Sequence, residues 1–120
     1  LAEQRGTPTI VFFMAYWCGT CVTEGQALAR LQQEYGDSLS IVALDVDPSS
    51  TPEALARFKE MADNGQFAWA FDTGQQVTAA YEVTALDTTL ILDREGHVIY
   101  KDQWPSTYQS LKDELVKLGL

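Results

Sequence analysis

The sequence predicts an α/β domain: a mixed central β-sheet with helices on both faces and a β-hairpin before the C-terminal helix. Three observations predict it. Thr9–Met14 (TIVFFM) and Leu39–Asp45 (LSIVALD) are short, nearly continuous apolar runs rich in β-branched residues, the pattern of strands covered on both faces. Between them Cys21, Leu28, Leu31 and Tyr35 recur near multiples of the helical period, so a helix joins the two strands and makes them parallel. Further on, TTLILD and HVIYKD flank the turn REG, which marks an antiparallel hairpin.

The elements follow in order. Gly36 closes the first helix as a C-terminal glycine. VDPSSTPEALARFKEMADNG holds a second helix, with Thr51 as N-cap, Pro52 at the first helical position and Leu55, Phe58 and Ala62 on one face. QFAWAF reads as a short strand and GQQVTAAYEV as a short helix running into a loop. The glycine of REG stands where an αL bulge needs one. The last helix opens at STYQ, where Ser106 and Gln109 fit a capping box, and buries Tyr108, Leu111, Leu115 and Leu118 before Gly119. No repeat, low-complexity stretch or linker interrupts this order, so residues 1–120 are expected to form one domain.

Composition excludes several classes of function. A chain of 120 residues with 46% hydrophobic content can close one core. Eight Lys and Arg against seventeen Asp and Glu give a net charge of -9, which repels nucleic acid and anionic membranes. The acidic residues are scattered, as on a solvated surface. No apolar run approaches the length needed to cross a bilayer, and LAEQRGTPT lacks the basic and apolar segments of a signal peptide. The chain begins with Leu1 rather than Met, as expected where a leader or anchor has been removed.

Both cysteines lie in YWCGTC, three positions apart, where the first strand gives way to the first helix. A redox pair, a structural staple and half of a metal site are the readings to compare. Unpaired backbone N–H groups and the helix macrodipole favour a thiolate at the helix start. Cys18 stands there, so its pKa is expected to be lowered and Cys18 to act as the nucleophile, with Cys21 one turn inside as the resolving cysteine. A bridge closing so small a loop removes little chain entropy and makes a weak staple. Zinc needs roughly four ligands and the chain offers two Cys and one His, with His97 in the distant hairpin turn, so no metal and no cofactor is assigned. Glu24, one turn beyond Cys21, is a candidate proton acceptor whose pKa partial burial would raise; the rival reading is an ordinary acidic residue of the first helical turn. Trp17, beside the nucleophile, is expected at the surface that meets a polypeptide substrate. Core or edge packing is expected of Trp69 and Trp104.

FFMAYWCGTC, lying between a first strand and a first helix, resembles the active site of the thioredoxin superfamily. Glu24 six positions after Cys18, the segment ALDVD, an additional helix and strand before YEV, and TTLILDREGHVIYKD are similar to the TlpA/ResA-like extracytoplasmic branch, over Thr9 to Leu118. The resemblance implies a thioredoxin-like fold and thiol-disulfide exchange. It also implies a reducing role outside the cytoplasm, on exported proteins or apocytochrome c. The partners expected are protein disulfides and a thiol electron donor, membrane-bound or soluble; the domain itself is expected to be a monomer. The alternative function is a thioredoxin-fold binding module that holds a metal or a client protein without redox turnover.

The chain departs from the family pattern at three places. In VTALDTT, Asp87 occupies the position of the usual cis-proline. A cis bond before a non-proline costs about 3 to 4 kcal/mol, so a trans bond and a rearranged loop are expected. Facing Cys18, Asp87 would oppose the thiolate; otherwise it is an exposed loop aspartate. Leu86 and Asp87, in the loop that pairs with substrate in this superfamily, form the expected client groove with Trp17. Gly25 stands near the place of a kinking proline, and Phe12 where cytoplasmic thioredoxins carry a buried aspartate, which shifts proton transfer towards Glu24.

Overall fold

The computed structural model describes residues 6–120, so the first five residues of LAEQRGTPT, the stretch read above for a leader, lie outside the described residues. Five strands form one sheet: β1 (Thr9–Met14), β2 (Ser40–Asp45), β3 (Ala68–Phe71), β4 (Thr88–Leu92) and β5 (Val98–Asp102), in the order β3-β2-β1-β4-β5. β2 runs parallel to both β1 and β3, whereas β4 runs antiparallel to both β1 and β5. The sheet is therefore mixed, with β1 at its centre.

Alternation along β1 divides the interior. Ile10, Phe12 and Met14 point to one face, against Leu28 and Leu31 of α1 (Gly19–Tyr35), Phe58 of α2 (Pro52–Met61) and Leu111 and Leu115 of α4 (Tyr108–Val116). Val11 and Phe13 point to the other, where Val77 of α3 (Gln76–Ala80) and the following Tyr81 pack. Helices cover both faces as expected, three on one and the short α3 on the other. Each buried Leu or Phe stabilises by roughly 1.5–3 kcal/mol, and a one-residue slip of β1 would exchange its two faces, so its register is strongly specified.

Local signals placed most boundaries correctly. Thr51 Oγ1 accepts the Ala54 N–H at 3.1 Å, with Pro52 behind it in the first turn. Gly36 ends α1 at φ 53°, and Gly96 at φ 89° lies in the hairpin, where the β4–β5 register shifts between Ile91 and Leu92.

Three expectations are corrected. The capping box of α4 is Thr107 with Ser110, one residue beyond the predicted Ser106 and Gln109. Ser106 is buried and tied to Glu24 and Asp102, so it is not free to cap. Tyr108 and Leu118 are only partly buried, beside fully buried Leu111 and Leu115. Trp104 is 61% exposed, in the loop between β5 and α4. Trp69 does pack: it stacks on Phe67 with ring centroids 4.8 Å apart, and its indole N–H donates to the Gly65 carbonyl.

Candidate active site

The chain turns from β1 into α1 at Cys18. Its N–H donates to the Ala15 carbonyl at 3.0 Å, and its extended backbone (φ −82°, ψ 105°) makes it the N-cap of α1. The first turn contains no acidic residue, so no carboxylate there offsets the positive end of the helix dipole. Cys18 and Cys21 are joined as a disulfide, with Cα atoms 5.3 Å apart. Cys18 retains 8% exposure and Cys21 none, so an incoming thiolate meets the Cys18 sulfur first. The Thr20 hydroxyl stands 3.4 Å from Cys18 Sγ.

Opposite the disulfide stands Asp87, at the end of the loop before β4. Its Oδ1 lies 2.6 Å from Cys21 Sγ and 3.1 Å from Cys18 Sγ. The residue is 2% exposed, which overturns the reading of an exposed loop aspartate. The loop is drawn in by the Thr88 hydroxyl, which donates to the Ala85 carbonyl. No peptide bond among the described residues is cis, the bond before Asp87 included. Burial pushes the Asp87 carboxyl above its usual range, against the Thr20 hydroxyl, and the nearby Asp102 charge adds to the rise. The sulfurs of Cys18 and Cys21 and a carboxylate oxygen of Asp87 lie within 4.8 Å of one another. While the sulfurs are bonded together this group offers a cation one carboxylate and no thiolate.

Glu24 is fully buried in the second turn of α1, not the first. Its carboxyl is taken up by the Thr89 hydroxyl and by the Ser106 N–H at 2.9 Å, rather than by a sulfur. Burial pushes its pKa up to about 8, against those two hydrogen bonds, and Asp102 and Asp87 add to the rise. Phe12 is the cross-strand partner of Thr89, so the face that lacks an acid on β1 receives one from α1 instead. Trp17 is 61% exposed beside Cys18, its indole N–H donating to Asp47. Leu86 is half-buried against the core, next to Asp87.

Sequence reasoning missed the role of Asp102 and Ser106. Asp102 is buried, accepts from Tyr100 and Ser106, and raises both Glu24 and Asp87 electrostatically.

The AhpC/TSA family model matches residues 1–101. "Mercury resistance operon ORF3" of Streptomyces lividans is 27% identical, the match covering 99% of this chain and 64% of that protein. "Thiol-disulfide oxidoreductase ResA" of Bacillus thuringiensis subsp. konkukian is 29% identical over 98% of this chain and 67% of that one. The chain thus spans about two thirds of the length of these relatives. A solved structure of a secreted Mycobacterium tuberculosis disulfide oxidoreductase homologous to E. coli DsbE superposes with a TM-score of 0.83 at 18% identity, covering 98% of this chain and 86% of that one. That likeness shows the shared fold. The span of the family model shows that this chain belongs to the AhpC/TSA family, and the ResA relatives support its TlpA/ResA-like branch of the thioredoxin superfamily.

Proposed function

We propose that this domain is a thiol-disulfide oxidoreductase that reduces disulfides of exported proteins, with Cys18 as nucleophile and Cys21 as the resolving cysteine. One observation carries the reading: the more exposed sulfur of a closed Cys18–Cys21 pair stands at the N-terminus of a long helix. The Cys18 thiolate attacks a substrate disulfide, and Cys21 then displaces the reduced product as the pair closes. Trp17 and the Leu86–Asp87 loop flank Cys18 and form the client groove. An extended client strand laid along that loop would bring its disulfide to the sulfur. A small-molecule or protein thiol re-reduces the pair. Likeness to the ResA branch supports the reducing direction, the location outside the cytoplasm, apocytochrome c as one client and a monomeric domain. The fold neighbour described as secreted supports the location.

The test is reduction of a protein disulfide such as insulin in the presence of dithiothreitol, with Cys18→Ser and Cys21→Ser alongside. Catalysis is expected in the wild type and lost in Cys18→Ser, while Cys21→Ser accumulates a mixed disulfide through Cys18. A wild-type domain inert towards insulin, yet retaining metal or polypeptide, would be a binding module instead. A midpoint potential against glutathione gives the direction: a value near the reducing end of the roughly −270 to −120 mV range supports a reductant, and one near the oxidising end overturns it.

A further inference from the structure

Sulfurs in a disulfide carry no hydrogen. Asp87 Oδ1 nevertheless stands 2.6 Å from Cys21 Sγ and 3.1 Å from Cys18 Sγ, where a bare carboxylate oxygen would face sulfur lone pairs. A hydrogen on Oδ1 turns that contact into an O–H···S hydrogen bond. The other carboxyl oxygen, Oδ2, is buried with no partner among the described residues, which a neutral carboxyl tolerates far better than an anion.

The surroundings point the same way. The titratable groups around Asp87 are Cys18, Cys21 and Glu24 from α1 and Asp102 from β5, the last bonded to the Tyr100 hydroxyl. None of the three carboxyls is in an ion pair among the described residues. With no cation beside it, burial and the nearby Asp102 charge both disfavour the ionised form of the Asp87 carboxyl.

We infer that Asp87 is the proton-exchange partner of Cys21: it holds a proton while the disulfide is closed and passes it to the Cys21 sulfur when the disulfide opens. The inference rests on the dithiol exchange proposed above. When the substrate is reduced, the Cys18 thiolate attacks its disulfide, forming the mixed disulfide and releasing one substrate thiolate. The Cys21 thiol then gives its proton to the Asp87 carboxylate as its sulfur attacks Cys18 Sγ, the Cys18–substrate bond breaks and the second substrate thiolate departs. Two electrons pass from the Cys pair to the substrate, and one proton passes from Cys21 to Asp87. Regeneration by a donor thiolate reverses the sequence: attack on Cys18 Sγ expels the Cys21 thiolate, which takes the proton from Asp87. A second donor thiolate then attacks the donor sulfur of the mixed disulfide, forming the donor disulfide and releasing the Cys18 thiolate.

The test is an infrared difference spectrum of the whole domain, oxidised minus reduced with dithiothreitol. A protonated-carboxyl band is expected in the oxidised state, shifted in D2O, lost on reduction and missing from Asp87→Asn. Its absence from the wild type, or its survival in Asp87→Asn and loss in Glu24→Gln, overturns the inference. This readout needs no substrate, so it can fail while insulin reduction succeeds, or succeed while insulin reduction fails. In single turnover with a peptide disulfide, Asp87→Asn should slow resolution of the Cys18 mixed disulfide by at least about tenfold, with Asp87→Glu recovering part of the rate. Resolution at the wild-type rate with an unchanged pH profile would also overturn it.

Discussion

The backbone N–H of Ser106 lies 2.9 Å from Glu24 Oε1 across 82 positions of sequence, and the hydroxyl of the same residue donates to Asp102 Oδ2. One residue, through its backbone N–H and its hydroxyl, thereby ties α1 to the start of α4 and joins two buried carboxyls. Ser106→Ala keeps the first bond and leaves Asp102 with only the Tyr100 hydroxyl. The expected loss is about 1–3 kcal/mol, more than that for truncating the surface N-cap in Thr107→Ala, at about 1 kcal/mol. Chemical denaturation of the two variants checks the order, and a reversed order would mean that Asp102 is satisfied by other means.

Glu24 should make stability pH-dependent. The unfolded chain ionises it near 4.5 and the folded domain near 8, so the folded state holds an extra proton across that window. Stability from this group is full below the lower value and is lost as pH rises through the upper one, by up to about 1.4 kcal/mol per pH unit. Glu24→Gln retains an acceptor for the Ser106 N–H and cannot titrate. Its denaturation midpoint should therefore decline less than that of the wild type between about pH 5 and pH 8. Parallel curves for the two proteins would refute the shift.

Gly25 predicts a substitution that local propensity would misjudge. A Cβ at this position would lie 2.7 Å from Ala62 Cβ, where α1 meets the end of α2. Gly25→Ala gains about 1 kcal/mol of helix propensity yet should destabilise by a net 1–3 kcal/mol, roughly the cost of overpacking a dense contact. Thermal unfolding reads the sign directly.

Trp17 should matter to large substrates alone. It is exposed, so Trp17→Ala leaves the core intact. With a protein disulfide KM should rise by about tenfold, the typical weight of an exposed aromatic contact, while turnover of a small disulfide stays unchanged. Equal losses on both substrates would show that Trp17 acts through Cys18 rather than through the client.

The strands, helices and cysteine pair were legible in the sequence because local patterns encode them. TIVFFM reads as a buried strand on its own, and Pro52 after Thr51 marks a helix start without reference to anything else. The surroundings of the sulfurs were less legible. Asp87 reaches Cys21 across 66 positions, and Glu24 meets Thr89 across 65. Such contacts depend on how β1 and β4 pair, which no window of sequence contains. The misplaced cap of α4 is partly of this kind: Ser106 satisfies a local capping pattern, but its N–H goes to distant Glu24 and its hydroxyl to Asp102, four residues back.

The central place of β1 has a mechanical consequence. A strand with a paired neighbour on each side and apolar layers above and below is among the last parts of a molecule to open in hydrogen exchange. The sulfur pair is mounted on the end of that strand, and Asp87 arrives from the strand alongside it. Attacking atom and proton partner thus share one stiff support, so loops at the sheet edges could be reshaped to suit new clients without disturbing the distance between them.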